Sequence, residues 1–330
     1  MVSWSSFDGD ADAWDTALAS VGAGNFYQSH AWGSFRSEMG WQPLRVIGRA
    51  EDGTFVAMAQ MLVRRQFGTT IIWVPAGPAG DIRHWAAALP MLLRDRFGKL
   101  TYCRLNVLRE REEIAGGPLL SNDGWRRPGA RLGTGLSLEL DLRPPAAERM
   151  GSASANWRHN LRRAGKYGLT VEPWVNPDVA QMVAVYREME DYKGLSEQHS
   201  EAALRAMVRH IGGNMAIFRC LDREGNLLAF RAAGIFRERA WDLLAAATRA
   251  ARKVYASHAL LWALADACRQ RGAVAYDLGG ADPVANKGVF DFKRGTGARL
   301  FEYAGEWEWA GMPLLAPAVG LMMKYRGMTA

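Results

Sequence analysis

The chain has 330 residues, 49% of them apolar and 23% charged, a length and balance that favour two folded domains and exclude disorder as the main theme. Its three cysteines, Cys103, Cys220 and Cys268, are odd in number and far apart, which argues against a disulfide framework or a metal cluster and for a reducing compartment. Of the net charge of +7, residues 1–150 contribute 17 basic against 16 acidic side chains and residues 151–330 contribute 24 against 18, so an anionic partner is expected of the second half.

The opening MVSWSSFDGDADAWD has neither the basic nor the apolar segment of a secretory signal, and a cytoplasmic location is expected. In the first half, LRVIGR and TFVAMAQMLVRR flank Ala50-Glu51-Asp52-Gly53, a strand, turn, strand signal. The strand TIIWV, the loop PAGPAG, a helical stretch from Ile82 to Phe97 closed by Gly98, and the strand LTYCRLNVL follow. Leu136 to Leu142 alternates as a strand before Arg143-Pro144-Pro145, which places the boundary near 145 and the domains at 1–147 and 148–311.

The second half opens with a basic helix, WRHNLRRAGKYG, started by Ser154 or Asn156 and ending at Gly168. A second, amphipathic helix starts at Asn176-Pro177 and ends near Gly194. The order of the first half then returns: MAIFRCL and LLAFRAAGIF around Asp222 to Asn226, the strand WDLLAAA, a helix from Ser257 closed by Gly272, and VAYDLGG. Gly53 and Gly225 are 172 residues apart and Gly98 and Gly272 are 174 apart, which indicates a duplicated domain rather than a solenoid. Near the end, the apolar run from Met312 to Met323 contains Pro313 and Pro317 and is shorter than a membrane span. It reads as a docking helix, residues 312–330, that packs back on the first domain, with peripheral contact to the inner membrane face as the other reading.

Two segments could carry chemistry. Arg158, Arg162 and Lys166 lie four apart on one helix face with Arg163 beside them, and no acidic residue occurs between Met150 and Val171. Guanidinium forks suit phosphate oxygens, so this stripe is a candidate site for a pyrophosphate or an RNA backbone. In DLGGADPVANKGVFDFKRG, a strand ends in Asp277 and Gly279-Gly280, and a loop leads to Phe292-Lys293 and a glycine-flanked turn. Lys293, one of seven lysines, is a compact charge suited to a developing oxyanion. The six histidines and three cysteines form no nucleophile or metal pattern and read as structural; no dinucleotide or P-loop fingerprint is present.

The segment from Asp277 to Trp309 resembles the FemABX family of aminoacyl-tRNA-dependent peptidyltransferases, through Gly288-Val289-Phe290-Asp291-Phe292-Lys293 and Glu302-Tyr303-Ala304-Gly305. Phe26-Tyr27-Gln28-Ser29-His30-Ala31-Trp32-Gly33 followed by Gly40-Trp41 is similar to the family's N-terminal motif, and Arg158-His159-Asn160-Leu161-Arg162-Arg163-Ala164 to its basic helix. The resemblance implies an α/β (α+β) fold of two tandem GNAT-like domains, each a mixed sheet flanked by helices. It implies transfer of an amino acid from charged tRNA, as co-substrate rather than cofactor, to an amine of a UDP- or lipid-linked peptidoglycan precursor.

In that reading Lys293, with Phe292, steadies the tetrahedral oxyanion; Arg36 and Lys193 hold the precursor's phosphates; and Trp32, Tyr255, Asn106 and Asp277 line the substrate site. Asn106 stands where the family has an acidic residue followed by proline. An alternative keeps the fold and takes acyl-CoA as donor, with an amino sugar, polysaccharide or natural-product amine as acceptor. GNAT enzymes resemble one another in an [RQ]-x-x-G-x-[GA] pyrophosphate loop; here Arg249-Ala250-Ala251-Arg252-Lys253-Val254 lacks its glycine, which counts against that donor. A non-catalytic basic module binding RNA or a membrane surface is the third reading.

Overall fold

The computed structural model describes residues 2–22, 24–112, 117–197 and 199–325. In chain order the strands are β1 (Ser3–Ser6), β2 (Gln42–Arg49), β3 (Phe55–Gln66), β4 (Thr69–Pro75), β5 (Ala79–Gly80), β6 (Thr101–Glu110), β7 (Leu136–Asp141), β8 (Thr170–Pro173), β9 (Met215–Leu221), β10 (Leu227–Phe236), β11 (Arg239–Ala247), β12 (Ala275–Gly280) and β13 (Arg299–Ala310). Two compact units form, one from residues 1–136 with 301–330, the other from residues 137–300.

The mixed sheet of the first unit runs β1-β2-β3-β4-β6-β13. All its neighbours are antiparallel except β4 and β6, whose parallel pairing requires a crossover, here the helix Ala88–Phe97. In the second unit β8-β9-β10-β11-β12-β7 follows the same plan: only β11 and β12 are parallel, joined through the helix Ala256–Gln270.

The repeat extends to the turns. Both first hairpins close with a backbone bond across the turn, Ala50 N to Thr54 O (2.9 Å) and Asp222 N to Asn226 O (3.0 Å). Both place a glycine, Gly53 or Gly225, at φ +85°, a conformation that costs other residues a Cβ clash. Both second hairpins are two-residue turns whose first residue, Phe67 or Arg237, has positive φ.

The boundary expected near 145 lies instead between 136 and 137, and the second boundary falls at 300 rather than 311. The cause is an exchange of strands. β7 follows β6 in the chain but pairs with β12, and β13 follows β12 but pairs with β6. Alternation marks β7 as a strand without stating which sheet receives it, because pairing partners lie more than a hundred residues away. The helical stretch from Ile82 to Phe97 consists of two helices, Ile82–Trp85 and Ala88–Phe97.

The N-terminal sequence block is largely a structural lock. Asn25 and Ser29 cap the turn Phe26–Gln28 and the helix His30–Glu38. The buried Gln28 side chain donates to Gln60 O (3.1 Å) and Pro75 O (2.7 Å) and accepts from Gln60 N (2.7 Å), while Gln60 Nε2 donates to Ser29 O (2.8 Å). A Cβ on Gly33 would lie 2.2 Å from Gln60 Oε1, so any larger residue would have to displace the Gln60 amide from this lock. Trp32, expected at the substrate site, is buried among Phe26, Tyr27 and Phe35.

The final helix, Leu315–Tyr325, buries Ala316, Val319 and Met323 against Tyr102 and Ala130. No helix among the described residues is long and apolar enough to cross a membrane. Beneath it a charge pair ties β13 to β6: Arg104 donates to Glu306, with the side chains 5% and 9% exposed, and Glu306 Oε1 accepts from Leu132 N (2.8 Å) and Gly133 N (3.0 Å). Breaking a buried pair on one side strands the other charge. Glu306→Ala is therefore expected to cost about 3–5 kcal/mol in denaturant unfolding, and Glu306→Gln, which keeps an acceptor oxygen, clearly less.

Candidate active site

The second unit gathers most of the residues singled out in the sequence. Lys293 sits in the last turn of the helix Lys287–Arg294, a helix where the sequence reading placed a loop and a turn. Its side chain runs inward, is 8% exposed, and donates from Nζ to Gly280 O at 2.8 Å and Gly279 O at 3.2 Å. Burial lowers its pKa from the ordinary lysine value, with Asp242 and Asp277 opposing that shift and Arg231 adding to it.

The two acceptor carbonyls exist because β12 ends in glycines. Gly279 has φ +75°, the region that favours glycine, and an added Cβ would stand 3.9 Å from Lys293 Nζ and from Asp242. Asp277 anchors the turn from below. At 1% exposure, its Oδ1 accepts from Ser137 Oγ (2.5 Å) and Gly279 N (2.8 Å). Burial, the dominant cause, pushes its carboxyl up to about 6 against those hydrogen bonds. Through those bonds it positions the glycine turn.

Beside the lysine lies a buried network spanning three strands. Arg231 on β10 donates twice to Asp242 on β11 (2.8 and 2.9 Å), and Tyr276 on β12 donates its hydroxyl to the same carboxylate (2.8 Å). The guanidinium is 6.0 Å from the Phe292 ring centroid. Phe292 in turn meets His258 edge-on at 5.0 Å and Trp157 at 6.4 Å. Burial holds the His258 imidazole at about 4, so this ring is neutral near pH 7. Histidines read as structural in the sequence; the packing of His258 against Phe292 and Trp157 is a proximity that spacing does not reveal, because those neighbours come from two other helices.

The basic helix, Ala155–Ala164, is shorter than the expected run to Gly168, and its stripe divides. Arg158 is half-buried and donates to Gly151 O and Ala153 O, stitching the chain's own backbone. Arg163 lies 4.6 Å over the Tyr255 ring, and Tyr255 itself packs on His258 at 5.8 Å. Arg162 and Lys166 face solvent. Tyr255, not Ser257, precedes the helix Ala256–Gln270, in left-handed conformation.

A second cationic cluster surrounds Tyr192. Lys193 Nζ is 6.0 Å from its ring centroid, and the Arg249 and Arg252 guanidinium carbons are each 5.7 Å away. Lys193 ends the helix Val179–Lys193, closed by left-handed Gly194, and burial and Arg252 lower its pKa. The segment Arg249–Lys253, where a GNAT pyrophosphate loop would sit, is a short helix. Its first N–H groups serve the chain's own oxygens: Arg249 N donates to Glu188 Oε1 (2.8 Å) and Ala251 N to Thr248 Oγ1 (3.1 Å).

In the first unit, Arg36 is half-buried between Phe35, Trp41 and Trp73 at 5.2 to 5.8 Å. Arg64 lies 4.8 Å from the Trp41 ring. Burial, then Arg64, lowers Arg36 to about 10. Two like charges held close in an aromatic setting form a receptive place for an anion. Asn106 is half-buried on β6 between Pro75 and Glu306.

An acetyltransferase (GNAT) domain family matches residues 151–294. Among solved structures, FemX superposes with a TM-score of 0.82 at 16% identity, over 96% of this chain and 99% of that one. A tandem GNAT protein from the clavulanic acid biosynthesis pathway gives 0.59 at 12% identity, over 95% and 99%. L-PGS from Bacillus licheniformis gives 0.58 at 18%, over 95% and 96%. No curated protein sequence matches the chain. The chain thus shares with FemX a mixed α/β fold of the tandem GNAT kind, and residues 151–294 of it match the GNAT domain family.

The raised Asp277 pKa makes a stability prediction. The native state binds this proton more tightly than the unfolded chain does, so the associated stability is present below about pH 4 and is lost as pH rises through 6. Asp277→Asn keeps an oxygen for Ser137 and Gly279. Its unfolding free energy relative to wild type should climb between about pH 3 and 7, by about 3 kcal/mol in all, as measured by denaturant unfolding across pH; a pH-independent difference would show that Asp277 ionises normally.

Proposed function

We propose that the protein is an aminoacyltransferase that forms a peptide bond between an amino acid carried on tRNA and an amine of a peptidoglycan precursor or related cell-envelope acceptor. The observation that carries this reading is Lys293, a buried ammonium held by two glycine carbonyls at the end of β12. An ammonium has three hydrogens, and two are directed at Gly279 and Gly280. The third is available to an oxygen that gains charge during reaction.

An aminoacyl ester is already activated, so the chemistry asks chiefly for orientation and charge stabilisation. The acceptor nitrogen attacks the ester carbonyl carbon, a C–N bond forms, and the carbonyl oxygen takes the electron pair beside Lys293. Collapse breaks the C–O bond to the terminal ribose, whose oxygen takes up a proton, while the amine loses one. Burial of Lys293 strengthens its interaction with the oxyanion by excluding water. The Asp242 carboxylate, set by Arg231 and Tyr276, keeps the ammonium charged in that setting.

The cationic clusters supply the substrate handles in this reading. Lys193, Arg249 and Arg252 around Tyr192, the outer face of the basic helix with Arg162, Arg163 and Lys166, and Arg36 with Arg64 are suited to tRNA phosphates and a diphosphate-bearing precursor. The GNAT match and the tandem GNAT neighbour favour a second donor, acyl-CoA. The engaged N–H groups at Arg249 and Ala251 argue against it.

Lys293→Met retains bulk without charge and is expected to lower kcat about 10²–10³-fold with KM and melting temperature little changed; normal turnover would remove the oxyanion role. Incubating the protein with mixed charged tRNAs and UDP- or lipid-linked precursors, beside an acyl-CoA control, should give a new amide only from the tRNA pool. Product from acyl-CoA alone would establish the second donor. Reversing Arg249 and Arg252 to Glu is expected to weaken tRNA or precursor binding at least about tenfold and flatten its salt dependence, measured by filter binding across ionic strength.

A further inference from the structure

The last helix, Leu315–Tyr325, has two apolar faces, and the body of the protein uses one of them. Ala316, Val319 and Met323 point inward. On the other side Leu314, Leu321 and Tyr325 are 79%, 71% and 91% exposed, with Pro317 and Ala318 exposed between them. Positions 314, 317/318, 321 and 325 follow helical spacing, so these side chains form a continuous stripe. Large exposed apolar side chains in series, unlike scattered ones, mark a contact surface.

Charge decides between occupants. From Gly311 to Ala330 the sequence holds no Asp or Glu and carries Lys324 and Arg326. Ala130, on which the helix packs, is followed by exposed Arg131 and Leu132. An apolar stripe with basic and no acidic company suits a surface that is apolar within and negatively charged at its rim. Eleven residues cannot span a bilayer, and the helix is already fastened along its inner face.

We propose that this face lies in the interface of an anionic lipid bilayer, with Leu314 and Leu321 at the acyl boundary, Tyr325 at headgroup level and Lys324 against lipid phosphates. This rests on the exposed stripe and its charge, independently of the acyl-transfer reading. One helix with few cations gives reversible attachment rather than insertion.

The test is flotation of the full chain with phosphatidylcholine vesicles with and without about 30 mol% phosphatidylglycerol. The protein should float with the anionic vesicles only, and less as salt rises. Leu314→Ser with Leu321→Ser should lower the partition coefficient at least about tenfold, and Lys324→Gln about fivefold. Both changes are on exposed positions, so the melting temperature should hold, and turnover of a water-soluble acceptor should match wild type. Loss of that turnover together with the melting temperature would mark the variant as misfolded, and the Lys324→Gln result then decides. Absence of vesicle binding, or binding indifferent to these changes, would overturn the proposal. So would a concentration-dependent dimer in sedimentation that the leucine changes dissolve, which would assign the stripe to a second copy of the chain.

Discussion

Taking an ammonium out of water is costly unless oxygen acceptors replace the lost hydration and a negative charge stands nearby. Around Lys293 that single requirement arranges much of the second unit. The acceptors are main-chain carbonyls, which can turn toward one point only where the backbone bends sharply, and Gly279 at φ +75° supplies the bend. The bend is held by a carboxyl that is itself buried, Asp277, whose partners come from β7 and from the turn. The compensating charge is Asp242, which cannot stand alone in the interior and is matched by Arg231 and Tyr276. Each polar group is there because the previous one needed it.

How much of this was legible in the sequence follows from the range of each interaction. The hairpins around Gly53 and Gly225 are local: a turn glycine between alternating runs states its own geometry, and both turns form as written. Lys293 was visible because it follows a strand end with paired glycines inside a family-like block. His258 was not, since its contacts with Phe292, Trp157 and Tyr255 are made across different elements and no spacing along the chain encodes them. Trp32 shows the converse: it sits in a motif in which Gln28, Ser29 and Gly33 serve packing, and a sequence block does not distinguish a side chain kept for a ligand from one kept for a neighbour.

The excess positive charge of the second half proved to be distributed by local need rather than along one stripe. Arg158 is engaged with backbone carbonyls and Arg231 with Asp242, and both count toward the formal charge without offering it to a ligand. Part of what remains presented gathers against aromatic rings, Tyr192 and Tyr255 in the second unit, as Arg36 does with Trp41 and Trp73 in the first. A ring face holds a guanidinium without neutralising it, as a carboxylate would. The charge thus stays available to anions while the side chain gives up much of its motion.

The exchange of β7 and β13 bears on how such a chain can be made and divided. β7 leaves the ribosome well over a hundred residues before β12, its partner, and β6 must wait nearly two hundred residues for β13. Neither half of the duplicated sequence can therefore close its sheet from its own residues, and cutting at the proline pair near 145 would leave each fragment with a bare strand edge. Each unit therefore depends on a strand from beyond the proline pair: the unit begun by the first residues is completed by β13, and the other takes in β7.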